Sequence, residues 1–263
     1  MGIAERYGPW AVVAGASDGV GTALAEALAA EGIKVVLVAR RKAMLDEIAA
    51  RLPVETRVVP LDLSGPAAVA ELASATDDIE VGSLIYNAGA DTVNELVLDR
   101  DLDEMRAFIQ RNCTAVLESS HHFGGLMVKR GHGGVVLVTS GAAWAGGKRL
   151  AIYGATKAFD LVLAEGLWAE WRPHGVDVLA LVLGATDTPS FARSLAEHGG
   201  VEVPGLASPA DVATAALENL PNGPTYSYGM PDPLGPSPLA ALSRRQAVEL
   251  ISAGTDALFP EEA

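Results

Sequence analysis

The sequence holds a single cysteine, Cys113. An internal disulfide is excluded, and a reducing compartment, the cytoplasm, is the expected location. Lysine and arginine total 19 against 33 aspartates and glutamates, a net charge of −14. So few cations argue against the basic face that a nucleic-acid partner needs, though not against a local basic pocket for one phosphate. No apolar run approaches the roughly 18 residues of a membrane span, so none is expected. Met1 to Tyr7 contain no apolar signal-peptide core, and Arg6 stands where a myristoylation pattern wants Ser or Thr. Metal-ligand spacing is also missing. His121 and His122 are adjacent in a helical stretch and diverge, while His132, His174 and His198 read as loop or helix-end residues. No metal is expected. Cys113 has no activating partner in the sequence and reads as a small buried apolar residue.

What remains is globular. Hydrophobic residues make up 49% and charged residues 20% of a 263-residue chain, enough for one large α/β domain. Trp10–Ala14 is a short apolar run, a buried strand. Gly15-Ala16-Ser17-Asp18-Gly19-Val20-Gly21 follows at once. A helical pattern then runs from Thr22 to Glu31, closed by Gly32, and a second apolar run covers Ile33 to Ala39. Strand, glycine turn, helix, strand is the βαβ unit of a parallel sheet, and the glycines let backbone N–H groups approach a pyrophosphate. At the end of the second strand an NAD site usually carries an acid for the ribose 2′-hydroxyl. Here stand Arg40 and Arg41, two cations suited to a 2′-phosphate. NADP(H) is therefore the expected cofactor, with NAD(H) as the other candidate.

The alternation continues. Helix is expected over Arg41–Arg51 and strand over Arg57–Leu61, with Ser64 capping a helix that holds Val69 and Leu72. Strand is expected over Ser83–Tyr86, then one long helix from Asp101 to Lys129 containing Asn112. Val135–Thr139 is strand, Tyr153–Trp171 helix and Val176–Leu183 strand. Gly184–Ala207 reads as irregular. Ser208 and Pro209 open a helix to Leu220, and Thr225–Gly229 is a last short strand. The fold class is α/β, a Rossmann-like doubly wound parallel sheet of about seven strands with helices on both faces. Ligands of such sheets sit outside the carboxyl ends of the strands, where Gly15, Arg40, Asp62, Asn87, Ser140 and Gly184 all fall.

Tyr153 and Lys157 lie four apart, on one helix face. By itself the pair reads as two surface residues at helical spacing, and only the rest of the chain turns that reading. A phenol with a pKa near 10 is a poor acid or base at neutral pH, and an adjacent ammonium stabilises its phenolate. Such a pair gives or takes a proton at an oxygen.

Taken together, Gly15, Gly19, Gly21, Asp62, Asn87-Ala88-Gly89, Asn112, Ser140, Tyr153 with Lys157, and Gly184 with Thr188 resemble the short-chain dehydrogenase/reductase family. The resemblance spans Val12 to about Gly229. It implies hydride transfer between NAD(P) and an alcohol or carbonyl carbon. It further implies that Tyr153 is the general acid/base, that Lys157 lowers its pKa and binds the nicotinamide ribose, that Ser140 holds the substrate oxygen, and that Asn112 anchors a relay water. The implied cofactor contacts are Gly15, Ser17, Asp18, Gly19, Val20, Gly21, Arg40, Arg41, Asp62, Leu63, Asn87, Ala88, Gly89, Tyr153, Lys157, Gly184, Thr186 and Thr188. Homodimers or homotetramers are implied as well. The chain departs from the family pattern at Ala14 (usually Thr), Asp18 (often basic in NADP-preferring members), Tyr86 (usually Asn) and Leu183 (usually Pro).

Trp144, Phe191 and Leu195, with Met230, are expected to form an apolar wall, which suits a lipophilic carbonyl or alcohol such as a steroid or ketoacyl chain. The same residues also fit plain helix packing. The expected organisation is one cofactor-binding domain over residues 1–230, including a lid at about 188–207. A C-terminal extension, 231–263, follows; it is extended through Pro231, Pro233, Pro236 and Pro238, then helical from Pro238 to Ser252, and covers the pocket or meets another subunit. The alternative function is a cofactor-binding redox sensor without turnover.

Overall fold

A run of β-branched and leucine side chains with no polar break makes a strand buried on both faces, and such strands assemble into parallel sheets. The computed structural model describes residues 2–91, 93–197, 202–232, 235 and 238–259. A short helix α1 (Ile3–Tyr7), not anticipated from the sequence, precedes β1 (Trp10–Ala14), α2 (Gly19–Ala30), β2 (Lys34–Ala39), α3 (Lys42–Ala49), β3 (Thr56–Pro60), α4 (Ala68–Ser74) and β4 (Val81–Tyr86). Then come α5 (Leu102–Ile109), a π turn (Gln110–Thr114), α6 (Ala115–Arg130), β5 (Gly133–Ser140), α7 (Ala151–Trp171) and β6 (Val176–Leu183). The chain closes with α8 (Pro189–Glu197), α9 (Pro209–Asn219), β7 (Thr225–Tyr228) and α10 (Arg244–Leu258).

The seven strands lie in the order β3-β2-β1-β4-β5-β6-β7, and every pairing is parallel. All residues of β1, β4 and β6 are buried, whereas edge strands β3 and β7 are only partly covered. One sheet face packs Leu24 and Leu28 of α2 against Val212 and Leu217 of α9; the other packs Val69, Phe123, Met127 and Leu161. The chain moves outward from β1 to β3, then returns to β4 on the other side of β1. That reversal opens a crevice between the ends of β1 and β4. Among the described residues no helix is long and apolar enough to cross a membrane.

Four local expectations fail. Ser64 does not cap a helix: the Asp62 carboxylate takes both its N–H, at 3.0 Å, and its hydroxyl, at 2.6 Å, and α4 starts only at Ala68. The helix expected over Asp101–Lys129 is broken by the π turn, which inserts its wider turn at Asn112. The stretch expected to be irregular contains α8, whose start is tied by the Phe191 N–H to Thr188 Oγ1 at 3.2 Å. The C-terminal helix starts at Arg244, not Pro238, because Ser243 and Gln246 form a reciprocal capping box, and it continues past Ser252 to Leu258. A 3₁₀ turn, Pro238–Ala241, precedes it. Residues 198–201 of the expected lid, including His198, and Pro233 and Pro236 of the extended segment lie outside the described residues.

Candidate active site

The crevice at the switch point is a groove of about 690 Å³. Its floor is the glycine turn. A Cβ on Gly15, whose φ is +83°, would meet the Ala88 nitrogen at 2.7 Å, and a Cβ on Gly21 would lie 2.0 Å from the Gly15 oxygen. Only glycine allows the turn to close this tightly against α2 and the end of β4. Asn87 locks the same contact, donating from Nδ2 to the Gly15 oxygen at 3.1 Å. Gly21→Ala is therefore expected to cost about 3 kcal/mol by overpacking, lowering the melting temperature by about 6–12 °C. A melting curve superposing on the wild type would show that the turn is not the tight joint described.

Gly15, Ser17, Asp18, Gly19, Val20, Arg40, Arg41, Asp62, Leu63, Asn87, Ala88, Gly89 and Thr188 all line the groove. Cations line it as well. Burial raises the Asp62 carboxyl, but the Ser64 hydroxyl and N–H, with Arg40 and Arg111 nearby, outweigh burial and hold it below its usual range. Burial and the Arg40 charge lower Arg111. Arg41 donates to Ser17 O at 3.3 Å and Ser17 Oγ at 3.2 Å. Asp18, at the start of α2, makes no capping bond; it meets Arg193 of α8 at 3.1 Å and Arg41 at 3.7 Å. A glycine cradle that a Cβ would fill, the first residues of α2 and the arginines along the groove, Arg40, Arg41, Arg111 and Arg193 among them, fit a dinucleotide.

A second cavity, about 670 Å³, adjoins this groove and shares Val20, Asn87, Gly89 and Thr188 with it. Ser140, Tyr153, Lys157, Gly184 and Thr186 line it. Ser140 ends β5, in register with Leu183, and its Oγ accepts the Ala142 N–H at 3.3 Å, which leaves the hydroxyl proton to donate elsewhere. Lys157 is buried and donates to the Val138 carbonyl at 2.8 Å and to Asp160 Oδ2 at 3.0 Å. Asn112, fully buried in the π turn, donates from Nδ2 to Gly89 O at 3.0 Å and Thr156 Oγ1 at 3.2 Å. It joins α7 to the end of β4. The Tyr153 ring meets Phe108 edge-on, 6.5 Å between centroids.

The outer cavity is apolar. Trp144, Leu150, Phe191 and Met230 line it together with Ile251 and Leu258 of α10. Leu195 is buried but does not line it. Several residues at these two sites were not singled out from sequence. Arg111 and Arg193 join the cofactor-side groove, Asp160 meets Lys157, and the buried pair Asp91–Arg100, 2.7 Å apart, borders both cavities through Asp91. Arg111 and Asp160 carried a signal only in being charged next to Asn112 and on the Tyr153 face. Arg193 carried none, since a partner far along the chain, Asp18, decides its place, and Arg100 meets Asp91 nine residues back, a spacing with no helical or strand period.

A parallel sheet with a glycine turn at its switch point, and Tyr, Lys and Ser gathered beside it, defines a Rossmann-like oxidoreductase. Residues 9–199 match the short chain dehydrogenase family. The chain belongs to the short-chain dehydrogenase/reductase family. It is 34% identical over 199 residues to the 7β-hydroxysteroid dehydrogenase of Collinsella aerofaciens, covering 74% of this chain and 75% of that protein. It is 32% identical to the human very-long-chain 3-oxoacyl-CoA reductase, covering 69% of this chain and 60% of that one. Among solved structures, one from a study of 7β-hydroxysteroid dehydrogenase stereoselectivity superposes with a TM-score of 0.85 at 30% identity, over 95% of this chain and 99% of that chain. A Sphingobium yanoikuyae short-chain dehydrogenase in complex with NADPH does so with a TM-score of 0.75 at 31% identity, over 83% and 86%.

Proposed function

We propose that this protein interconverts a secondary alcohol and a ketone on a lipophilic substrate, with NADP(H) as the preferred cofactor. The observation that carries this reading is the adjoining of two cavities. A groove lined by Arg40, Arg41 and Arg111 opens into an apolar cavity where Ser140, Tyr153 and Lys157 stand together. When bound, the nicotinamide cofactor supplies or accepts the hydride. The chain handles the proton. In reduction the Tyr153 phenol gives its proton to the carbonyl oxygen; in oxidation the phenolate takes the alcohol proton. The Ser140 hydroxyl donates to the same oxygen as charge grows on it. Lys157 favours the phenolate, and Asn112 holds the Gly89 carbonyl and α7 in one frame. The relatives named for steroid and 3-oxoacyl substrates support a lipophilic ketone or alcohol here, and the wall of Trp144, Phe191 and Ile251 suits one.

The test is thermal shift with NADP and NAD in parallel, then turnover of a panel of steroid and long-chain oxoacyl ketones. A larger stabilisation by NADP, followed by turnover, is the expected result. Binding without turnover across the panel would favour the redox-sensor reading. Phe191→Ala and Ile251→Ala each remove several buried methylene equivalents from the wall. Each is expected to raise KM for the accepted substrate about tenfold while kcat moves less. An unchanged KM in both would mean that the substrate does not use this wall.

A further inference from the structure

Helix α7 carries an acid on its Tyr153 face. Tyr153, Lys157 and Asp160 stand at i, i+4 and i+7, one stripe of the helix. Asp160 Oδ2 accepts from Lys157 Nζ at 3.0 Å, and the two side chains are 3% and 5% exposed. The ammonium spends a second N–H on the Val138 carbonyl, which leaves one of its three.

The carboxylate is incompletely served. Asp160 Oδ1 is buried with no hydrogen-bond partner among the described residues. A half-satisfied buried acid costs stability that an apolar side chain of similar volume would not. The charge is retained against that cost, and what it touches is Lys157. Burial raises the Asp160 carboxyl, and the Lys157 ammonium opposes that rise. The other titratable groups facing the pair are Tyr86 of β4 and Cys113 of the π turn, with Arg111 and Glu118 beyond Tyr86. Burial and the Asp160 charge push the Tyr86 phenol far up and the Cys113 thiol up to about 11. Both are uncharged at neutral pH, so the ammonium and the carboxylate answer chiefly each other.

We propose that Asp160 is a positioning residue for the Tyr153–Lys157 pair: it docks the Lys157 ammonium and tempers the positive charge that the Tyr153 phenol feels, setting the pH range in which that phenol exchanges its proton. This rests on the reading of Tyr153 as the acid/base. Removing the carboxylate leaves the ammonium uncompensated. The phenolate is then favoured and forms at lower pH.

The test is Asp160→Asn in the full chain, with Asp160→Glu as the rescue and Asp160→Leu as the packing variant should Asn not fold. Tyrosine-ring carbon-13 NMR gives the midpoint of Tyr153 ionisation directly, with its signal identified by loss in Tyr153→Phe. The acid limb of kcat/KM for alcohol oxidation gives the midpoint seen by the reaction. Asn or Leu is expected to lower both midpoints by about one pH unit, the lower range for a nearby opposite charge freed to act. Glu is expected to return them toward wild type, which a merely structural role would not require. An NMR midpoint that stays or rises overturns the proposal. An NMR midpoint that falls while the acid limb stays still supports the Asp160 coupling and overturns the catalytic reading of Tyr153.

Discussion

Tyr153→Phe should lower kcat/KM by about 10²–10⁴-fold, the range for loss of a positioned general acid. The substitution removes one oxygen and keeps the ring, so the edge-on contact with Phe108 survives. Lys157 keeps its bonds to Val138 and Asp160, and Ser140 keeps its place at the end of β5. What is lost is the proton donor. Stabilisation by the cofactor should persist nearly undiminished, because the glycine turn and the arginines are untouched. Steady-state kinetics and thermal shift on the same preparation read both halves. Wild-type turnover in the variant would sink the mechanism, and loss of cofactor binding would move Tyr153 from chemistry to binding.

Arg40→Asp should reverse the cofactor preference by about a hundredfold in the ratio of kcat/KM for NADP to that for NAD. That corresponds to about 2.8 kcal/mol at 1.4 kcal/mol per tenfold, within reach of one lost charge-assisted bond to a phosphate plus a new repulsion. The introduced carboxylate also supplies the acceptor that a ribose 2′-hydroxyl wants. The local charge balance tolerates the change. Arg40 now opposes Arg111, so its removal relieves a like-charge contact, although Asp62 loses one of the cations that hold it ionised. Arg41 stays on the glycine turn through Ser17. A ratio that does not move would assign 2′-phosphate recognition to Arg41 or Arg111 instead.

Residues that bear on each other locally were legible in the chain. The βαβ unit follows from apolar runs interrupted by Gly15, Gly19 and Gly21, since strand burial and turn sterics act within a few residues. The Tyr153–Lys157 spacing is legible because a helix converts a spacing of four into one face. Capping was less legible. Ser64 looked like a cap, but its hydroxyl had a nearer acceptor in Asp62. The π turn at Asn112 leaves no periodic signature, since one wider turn inside a helix alters few contacts. The spacing pairs Lys157 with Tyr153; its bond to Asp160, three residues on, depends on which rotamer the packing of α7 against β5 permits.

The sequence alone determined the sheet class and the glycine turn, because those rest on local periodicity and glycine placement, and it pointed to the family by the resemblance that Asn87, Asn112, Ser140, Tyr153 and Lys157 carry. Only the tertiary structure decided how the ends of the chain meet the site. It set α10 over the apolar cavity, brought Arg193 of α8 to Asp18 and Arg111 to Arg40, and enclosed Asp160 with Lys157. These contacts join side chains far apart in sequence or facing inward from one helix. Their energies depend on burial and charge separation, and neither quantity exists until the chain has folded.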